Sequence, residues 1–329
     1  MKFHKPLWEE GVLLSPQHFQ QQNVFNSYIY ATVIKLMGEF KWGCFRCEFD
    51  QQTLELGKIK LNELQACLPD GTLIDLQSGS GSVEVRDINS LPMRARNTVL
   101  LALPVYQAHV PNLVDENGAG NTPRRFVKKF EQVEDLFSAE EAELAVEQLN
   151  LQIRFDFEDN DDYITCPIGV VEKNENGALI WSKDYIPPLL SITGSEVLLS
   201  CLNRITLLVL SRIDNLSARR RARSENTVDF SVSDSTLFWF LHGLNTIYPE
   251  LKHLNDYPQQ HPEELYKLLV RLLGMLYTFR VSESVNEMEP YDHFDLFGTF
   301  NRLELKIRSL LDEVIPSPVI ELSLEHTKS

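Results

Sequence analysis

The chain of 329 residues carries 47 acidic against 31 basic side chains, a formal charge of −16 and a pI near 5.0. Hydrophobic residues at 43% and charged residues at 24% are globular proportions, with length for roughly two or three domains that each bury a core. The acid excess excludes unaided attraction to nucleic acid or anionic lipid, and no apolar run approaches the ~20 residues of a membrane-spanning helix.

The chain opens MKFHKPLWEEGVLLSPQHFQQQ. Lys2, His4, Lys5, Glu9 and Glu10 break up any signal-peptide apolar region. Five cysteines (Cys44, Cys47, Cys67, Cys166 and Cys201) are odd in number and mostly scattered, as expected of a reducing compartment, the cytoplasm. Leu7, Trp8, Val12, Leu13 and Leu14 lead into a helix predicted over 16–37, with Ser15 as N-cap and Pro16 first, where its missing N–H costs nothing.

From there the pattern is β-rich. Pro69-Asp70-Gly71 turns into a strand over 72–76, and 98–105 reads as a buried strand. An acidic helix is expected near 138–147. Residues 149–157 alternate apolar and polar, and after the turn at Asn160-Asp161-Asp162 the segment 163–171 reads as their partner strand. Asn176-Gly177 is a hairpin signal ahead of a strand at 178–181. Short strands at this spacing suggest a β-sandwich or compact barrel.

At Ile186-Pro187-Pro188 the period changes. Thr193-Gly-Ser-Glu196 has the form of a capping box, and Leu198, Leu202, Ile205, Val209, Ile213 and Leu216 recur every three or four residues to about 223. Helices follow at 233–244, 262–279 and 294–314, and Pro316-Ser-Pro318 precedes a strand-like 319–324. The expected organisation is α+β multidomain: a β-sandwich-like shoulder over 1–185, a Pro-rich linker over 186–193, a helical-bundle neck over 194–315, and 316–329 as the start of a further domain.

Motifs for chemistry are sparse. Cys44-Phe-Arg-Cys47 is a C-x-x-C, but on a regular strand an odd separation sends the two thiols to opposite faces, and no second ligand pair completes a zinc set. The eight histidines form no ligand pair. No nucleophile elbow, P-loop or dinucleotide fingerprint is present. Ser15 and His18 lie one helical turn apart without an evident carboxylate. His242 is expected on a helix at the bundle core or an interface. The basic run Arg219-Arg220-Arg221-Ala222-Arg223 suits the C-terminal turns of a helix, where cations complement the dipole, or an acidic protein partner. No catalytic, cofactor or metal residue is assigned.

Pro6-Leu-Trp-Glu-Glu-Gly11 followed by Pro16-Gln-His-Phe-Gln-Gln-Gln22 closely resembles the N-terminal signature of the TssK family, the type VI secretion baseplate subunits. The resemblance continues through Pro69-Asp-Gly-Thr-Leu-Ile-Asp75, Ile186-Pro-Pro-Leu-Leu190, Leu237-Phe-Trp239 and His261-Pro-Glu-Glu-Leu-Tyr266. It implies a cytoplasmic, non-enzymatic homotrimer recruited to the inner face of the inner membrane, with no nucleic acid bound and no direct insertion into lipid. A shoulder like that of phage receptor-binding proteins and a neck would join the TssF–TssG wedge, and a C-terminal head would dock on the TssJ–TssL–TssM membrane complex. That head would follow Pro318, where only about a dozen residues remain in this sequence. On this reading Leu198, Leu202, Ile205, Val209 and Leu216 are candidates for the trimer interface, and Leu7, Trp8 and Phe19 for wedge docking or anchoring of the leader. An enzyme of unknown type, a phage-like adhesin and a trimeric assembly protein outside secretion are the alternatives.

Overall fold

The computed structural model describes residues 3–76, 83–114, 123–138, 140–224, 232–280 and 283–312. The chain is α+β and divides into two compact units, Met1–Gly194 with His293–Leu296, and Ser195–Asp292 with Phe297–Ser329.

The first unit begins with helix α1 (Pro16–Leu36), strand β1 (Gly43–Phe49) and a short helix α2 (Gln51–Glu55). Strands β2 (Lys58–Ile59), β3 (Leu61–Cys67), β4 (Leu73–Leu76), β5 (Arg86–Asp87) and β6 (Arg96–Pro104) follow. Then come β7 (Phe126–Glu134), β8 (Glu141–Leu149), β9 (Gln152–Phe155), β10 (Tyr163–Lys173) and β11 (Leu179–Trp181), and a 3-10 turn at Ile192–Gly194. They form a three-stranded sheet β1-β3-β4, a four-stranded sheet β11-β10-β6-β9, and two ribbons, β2-β5 and β7-β8. Val99, Leu101 and Leu103 of β6 lose all their surface, as do Phe155 of β9 and Cys166 and Val171 of β10.

Three expectations change here. The segments 149–157 and 163–171 do not pair with each other; β6 inserts between β9 and β10 and bonds to both. The acidic stretch at 138–147 is not a helix, because Glu141–Leu149 pairs with Phe126–Glu134 along nine residues. Its Ala, Glu and Leu content favours a helix, but Ala142, Leu144 and Val146 also alternate, and the tertiary partner decides between the two periods. The Pro-rich segment is not a linker. Ile186, Leu189 and Ile192 are buried, the Cys44 N–H donates to the Pro188 carbonyl at 2.8 Å, and the Leu190 N–H donates to the Cys44 carbonyl at 2.9 Å.

The second unit is built from α3 (Glu196–Ser224), α4 (Val232–Asp256), α5 (Pro262–Tyr277) and α6 (Leu296–Asp312). Helix α3 is capped by Ser195 rather than Thr193: the Leu198 N–H donates to Ser195 Oγ at 3.4 Å. Helix α4 runs twelve residues past the expected Leu244, through Pro249. Its buried face continues on both sides of that proline, at Leu244, Ile247, Leu251 and Leu254, so packing outweighs the one lost helical bond. The segment 319–324 lies outside the described residues.

The apolar stripe of α3 is absorbed by the chain's own bundle. Leu198, Leu202, Ile205 and Val209 are 0% exposed and Leu216 is 1% exposed. A side chain without surface cannot touch a second copy, so these five are core residues rather than an interface between copies. Helix α6 is tied to α3 by a bidentate pair: Arg204 Nε and Nη2 donate to Glu304 Oε1 and Oε2 at 2.6 and 2.7 Å. Burial alone would push the Glu304 carboxyl up. Hydrogen bonds from Arg204 and the Cys201 thiol, with the Arg204 and Arg308 charges, hold it below the ordinary carboxylate range.

Because that carboxyl is depressed in the folded state, its contribution is present above the unfolded value of about 4.3 and is lost as pH falls through the folded value. Glu304→Gln is expected to destabilise the second unit by about 1–3 kcal/mol at neutral pH. Chemical-denaturation midpoints measured from pH 7 to pH 3 should show the variant and the parent converging at the acid end.

Candidate interaction surfaces

The leader and α1 carry a group of exposed apolar side chains. Leu7, Leu13, Leu14 and Phe19 are exposed, and Trp8 keeps 48% of its surface. The Trp8 ring lies 5.9 Å from that of His18 and 6.4 Å from that of Phe19. It is therefore half anchored on α1 and half offered outward, and Phe19 is its anchor while remaining exposed itself. The leader is also held by Gln21 Nε2, which donates to the His4 carbonyl at 2.8 Å, and by Phe3, packed edge-on against Tyr28 and Tyr106. Helix α1 touches its own unit along one side only. A Cβ added at Gly71 would lie 2.8 Å from the Ala31 Cβ, yet no residue of α1 is fully buried.

Ser15 and His18 do meet, but as a helix cap. The Ser15 N–H donates to His18 Nδ1 at 3.2 Å, and Ser15 Oγ lies 2.9 Å from the same nitrogen. His18 thus takes the place of the Glu or Gln that usually closes a capping box. A nucleophile–base pair needs a third group to orient the base and donors for an oxyanion. Neither is supplied here by the residues around the pair.

The β7-β8 ribbon is a second exposed element, hidden from sequence reasoning by its helix-like composition. Its turn presents Leu136 and Phe137, 96% and 99% exposed, above Asp135, which accepts from the Phe137 and Ser138 N–H groups at 2.8 and 2.9 Å. Between residues 126 and 149 it carries two lysines against seven acids. Phe130 is exposed under the Lys128 ammonium, 4.8 Å from the ring centre.

The cysteines come closer than a regular strand allows. A register shift between Cys44 and Arg46 places one extra residue, Phe45, in β1. It cancels the odd separation, so both thiols face inward, and Cys44 hydrogen-bonds to Cys47 and Cys166. The expectation of opposite faces fails on that bulge. The Cys47 and Cys166 thiols are pushed well up by their bonds to Cys44 and by burial, which keeps them protonated and unreactive. Among the described residues no group of three or more His, Cys, Asp or Glu side chains is placed to hold a metal. His242 is exposed rather than in the core, stacked on Phe238 at 6.3 Å and edge-on to Trp239. Of the basic run, Arg220 lies 5.3 Å over the Phe238 ring. No helix of the described residues is long and apolar enough to cross a membrane.

Comparison with known proteins bears on these surfaces. Residues 18–329 match the family model T6SS_VasE, described as bacterial type VI secretion, EvfL, ImpJ and VasE. The type VI secretion system baseplate component TssK1 of Pseudomonas aeruginosa PAO1 is 27% identical over 325 residues, which is 98% of this chain and 72% of that protein. A chain of the TssK–TssF–TssG baseplate subcomplex superposes with a TM-score of 0.85 at 32% identity, covering 95% of this chain and 99% of the other. A chain of the type VI secretion baseplate complex gives 0.89 at 33%, covering 96% and 71%.

Two outcomes follow from the local geometry. His18→Ala is expected to cost about 1 kcal/mol through loss of the reciprocal cap, and His18→Gln to retain most of it; thermal melts of the two variants would check this. Elemental analysis of the purified chain is expected to find no stoichiometric zinc, in the parent and in Cys47→Ser alike.

Proposed function

The chain belongs to the T6SS_VasE family of bacterial type VI secretion proteins, and from that membership we propose that it works as a homotrimeric adaptor within the secretion baseplate. Its relatives are structural baseplate components rather than enzymes. One observation carries the reading. Each unit closes its own core, and large apolar side chains nonetheless remain outside on the leader, α1 and the β7-β8 turn. Such surface is costly to leave wet, at about 25 cal/mol per Å², and it surrounds no set of convergent titratable groups.

The TssF–TssG pair, named with TssK in the matched subcomplex, is the partner assigned to the leader. Leu7 and Trp8 are the contact residues, with Phe19 as the platform under the indole. Trp8 fits an interface anchor: large, aromatic and half prepared by its own chain. The TssJ–TssL–TssM membrane complex is assigned to a head following Pro316-Ser-Pro318, and recruitment to the inner face of the inner membrane runs through that head.

The test is a pull-down of the cognate TssF–TssG pair by the tagged 329-residue chain, beside light scattering of the chain alone. A stable complex and a mass three times 37.9 kDa are expected. Trp8→Ala should weaken the complex about thirtyfold with an unchanged melting point, a loss of about 2 kcal/mol located at the contact. A fall in melting point with binding intact would make Trp8 a core residue of its own unit.

A further inference from the structure

The leader does not simply precede α1 but is clasped along it. Phe3 meets Tyr28, Gln21 Nε2 donates to the His4 carbonyl at 2.8 Å, and Trp8 lies against His18 and Phe19. The leader therefore runs antiparallel to the helix. His18, Gln21 and Tyr28, spaced three and seven residues apart, fall on one stripe of α1. The two spans agree in length. A fully extended chain covers about 17 Å between residues 3 and 8, and a helix rises about 15 Å between residues 18 and 28.

The reversal between leader and helix is made at Glu9-Glu10-Gly11-Val12. The Val12 N–H donates to the Glu9 carbonyl at 3.3 Å, and Gly11 holds a φ of +81° at the third position, where a type II turn favours glycine. A Cβ at Gly11 would meet nothing within 4 Å, so this glycine answers to backbone conformation and not to crowding. The tie from Gln21 lies in water, since both His4 and Gln21 are exposed. It adds little to the core, but it decides where the leader lies. A leader without turn and tie would sample many directions, and only the fraction presenting the indole could bind, which weakens apparent affinity by that fraction.

We propose that Gln21 and Gly11 are positioning residues for docking: the tie and the turn hold the leader in its binding arrangement before the partner arrives. The inference rests on the reading above that Trp8 contacts TssF–TssG, and it adds how the indole is presented. Neither residue needs to touch the partner. Gln21 acts through the His4 carbonyl, and Gly11 acts through the fold-back that brings Trp8 over His18 and Phe19.

Binding kinetics of the full chain with the cognate TssF–TssG pair test this. Gln21→Met keeps the side chain's length without its donor, and Gly11→Ala strains the turn without a clash. Each should slow association about threefold to tenfold, the worth of one hydrogen bond or one forced positive φ. Dissociation and melting point should stay as in the parent, because the free and bound arrangements lose the same tie. Gln21→Lys, which still donates, should associate within about twofold of the parent. With fluorotryptophan incorporated and no partner present, the Trp8 signal, assigned with Trp8→Phe, should move toward that of free tryptophan in Gln21→Met and Gly11→Ala only. A parent chain that does not bind TssF–TssG would overturn the docking reading and this inference with it. If the parent binds and Trp8→Ala does not, yet Gln21→Met and Gly11→Ala associate at the parental rate, the positioning role alone is wrong. Faster dissociation at an unchanged association rate would also contradict it, by making Gln21 a direct contact of the partner.

Discussion

The first unit depends on the backbone pairing between the start of β1 and the segment that precedes the second unit. Cys44 gives its N–H to the Pro188 carbonyl and receives the Leu190 N–H. The approach is so close that a Cβ at Gly43 would sit 2.5 Å from the Pro188 oxygen, at a φ of +125° that favours glycine. This contact turns an apparent linker into a layer of core, burying Ile186, Leu189 and Ile192. A neighbouring approach repeats the requirement at Gly194, where a Cβ would lie 2.9 Å from the Phe45 carbonyl oxygen. Phe45 is the bulge residue that also turns Cys47 inward.

Much of the local structure was legible because short-range chemistry and tertiary packing agreed. Ser15-Pro16 started a helix, Asn176-Gly177 closed the β10-β11 hairpin, and the apolar run at 98–105 became one of the two inner strands of its sheet. The misses share a cause. The β8 strand was hidden by helix-forming residues, α4 by a proline it tolerates, and the facing of Cys47 by a one-residue bulge. In each case packing or strand pairing overrode a local preference.

The candidate surfaces were legible only in part. The leader residues Leu7, Trp8 and Phe19 stand out by type and are exposed as a docking element requires. The α3 stripe stood out more strongly and is core, since periodicity reports an apolar face without saying which partner covers it. Helix α1 mixes aromatic, aliphatic and amide side chains on its exposed side, which dilutes the hydrophobic signal. Only the knowledge of which side of α1 rests on its own unit separates its packed side from its exposed one.

The two units bury their own apolar faces and leave chemistry to none of their polar groups. What distinguishes the leader is an exposed indole on a half-built platform, which suits a different protein. Hydrogen–deuterium exchange across the leader, measured on the chain alone at high and low concentration and then with TssF–TssG added, tests that reading most directly. The account predicts that residues 7–14 gain protection only with TssF–TssG. Leader protection that rises with concentration alone, or none on addition of TssF–TssG, would contradict it.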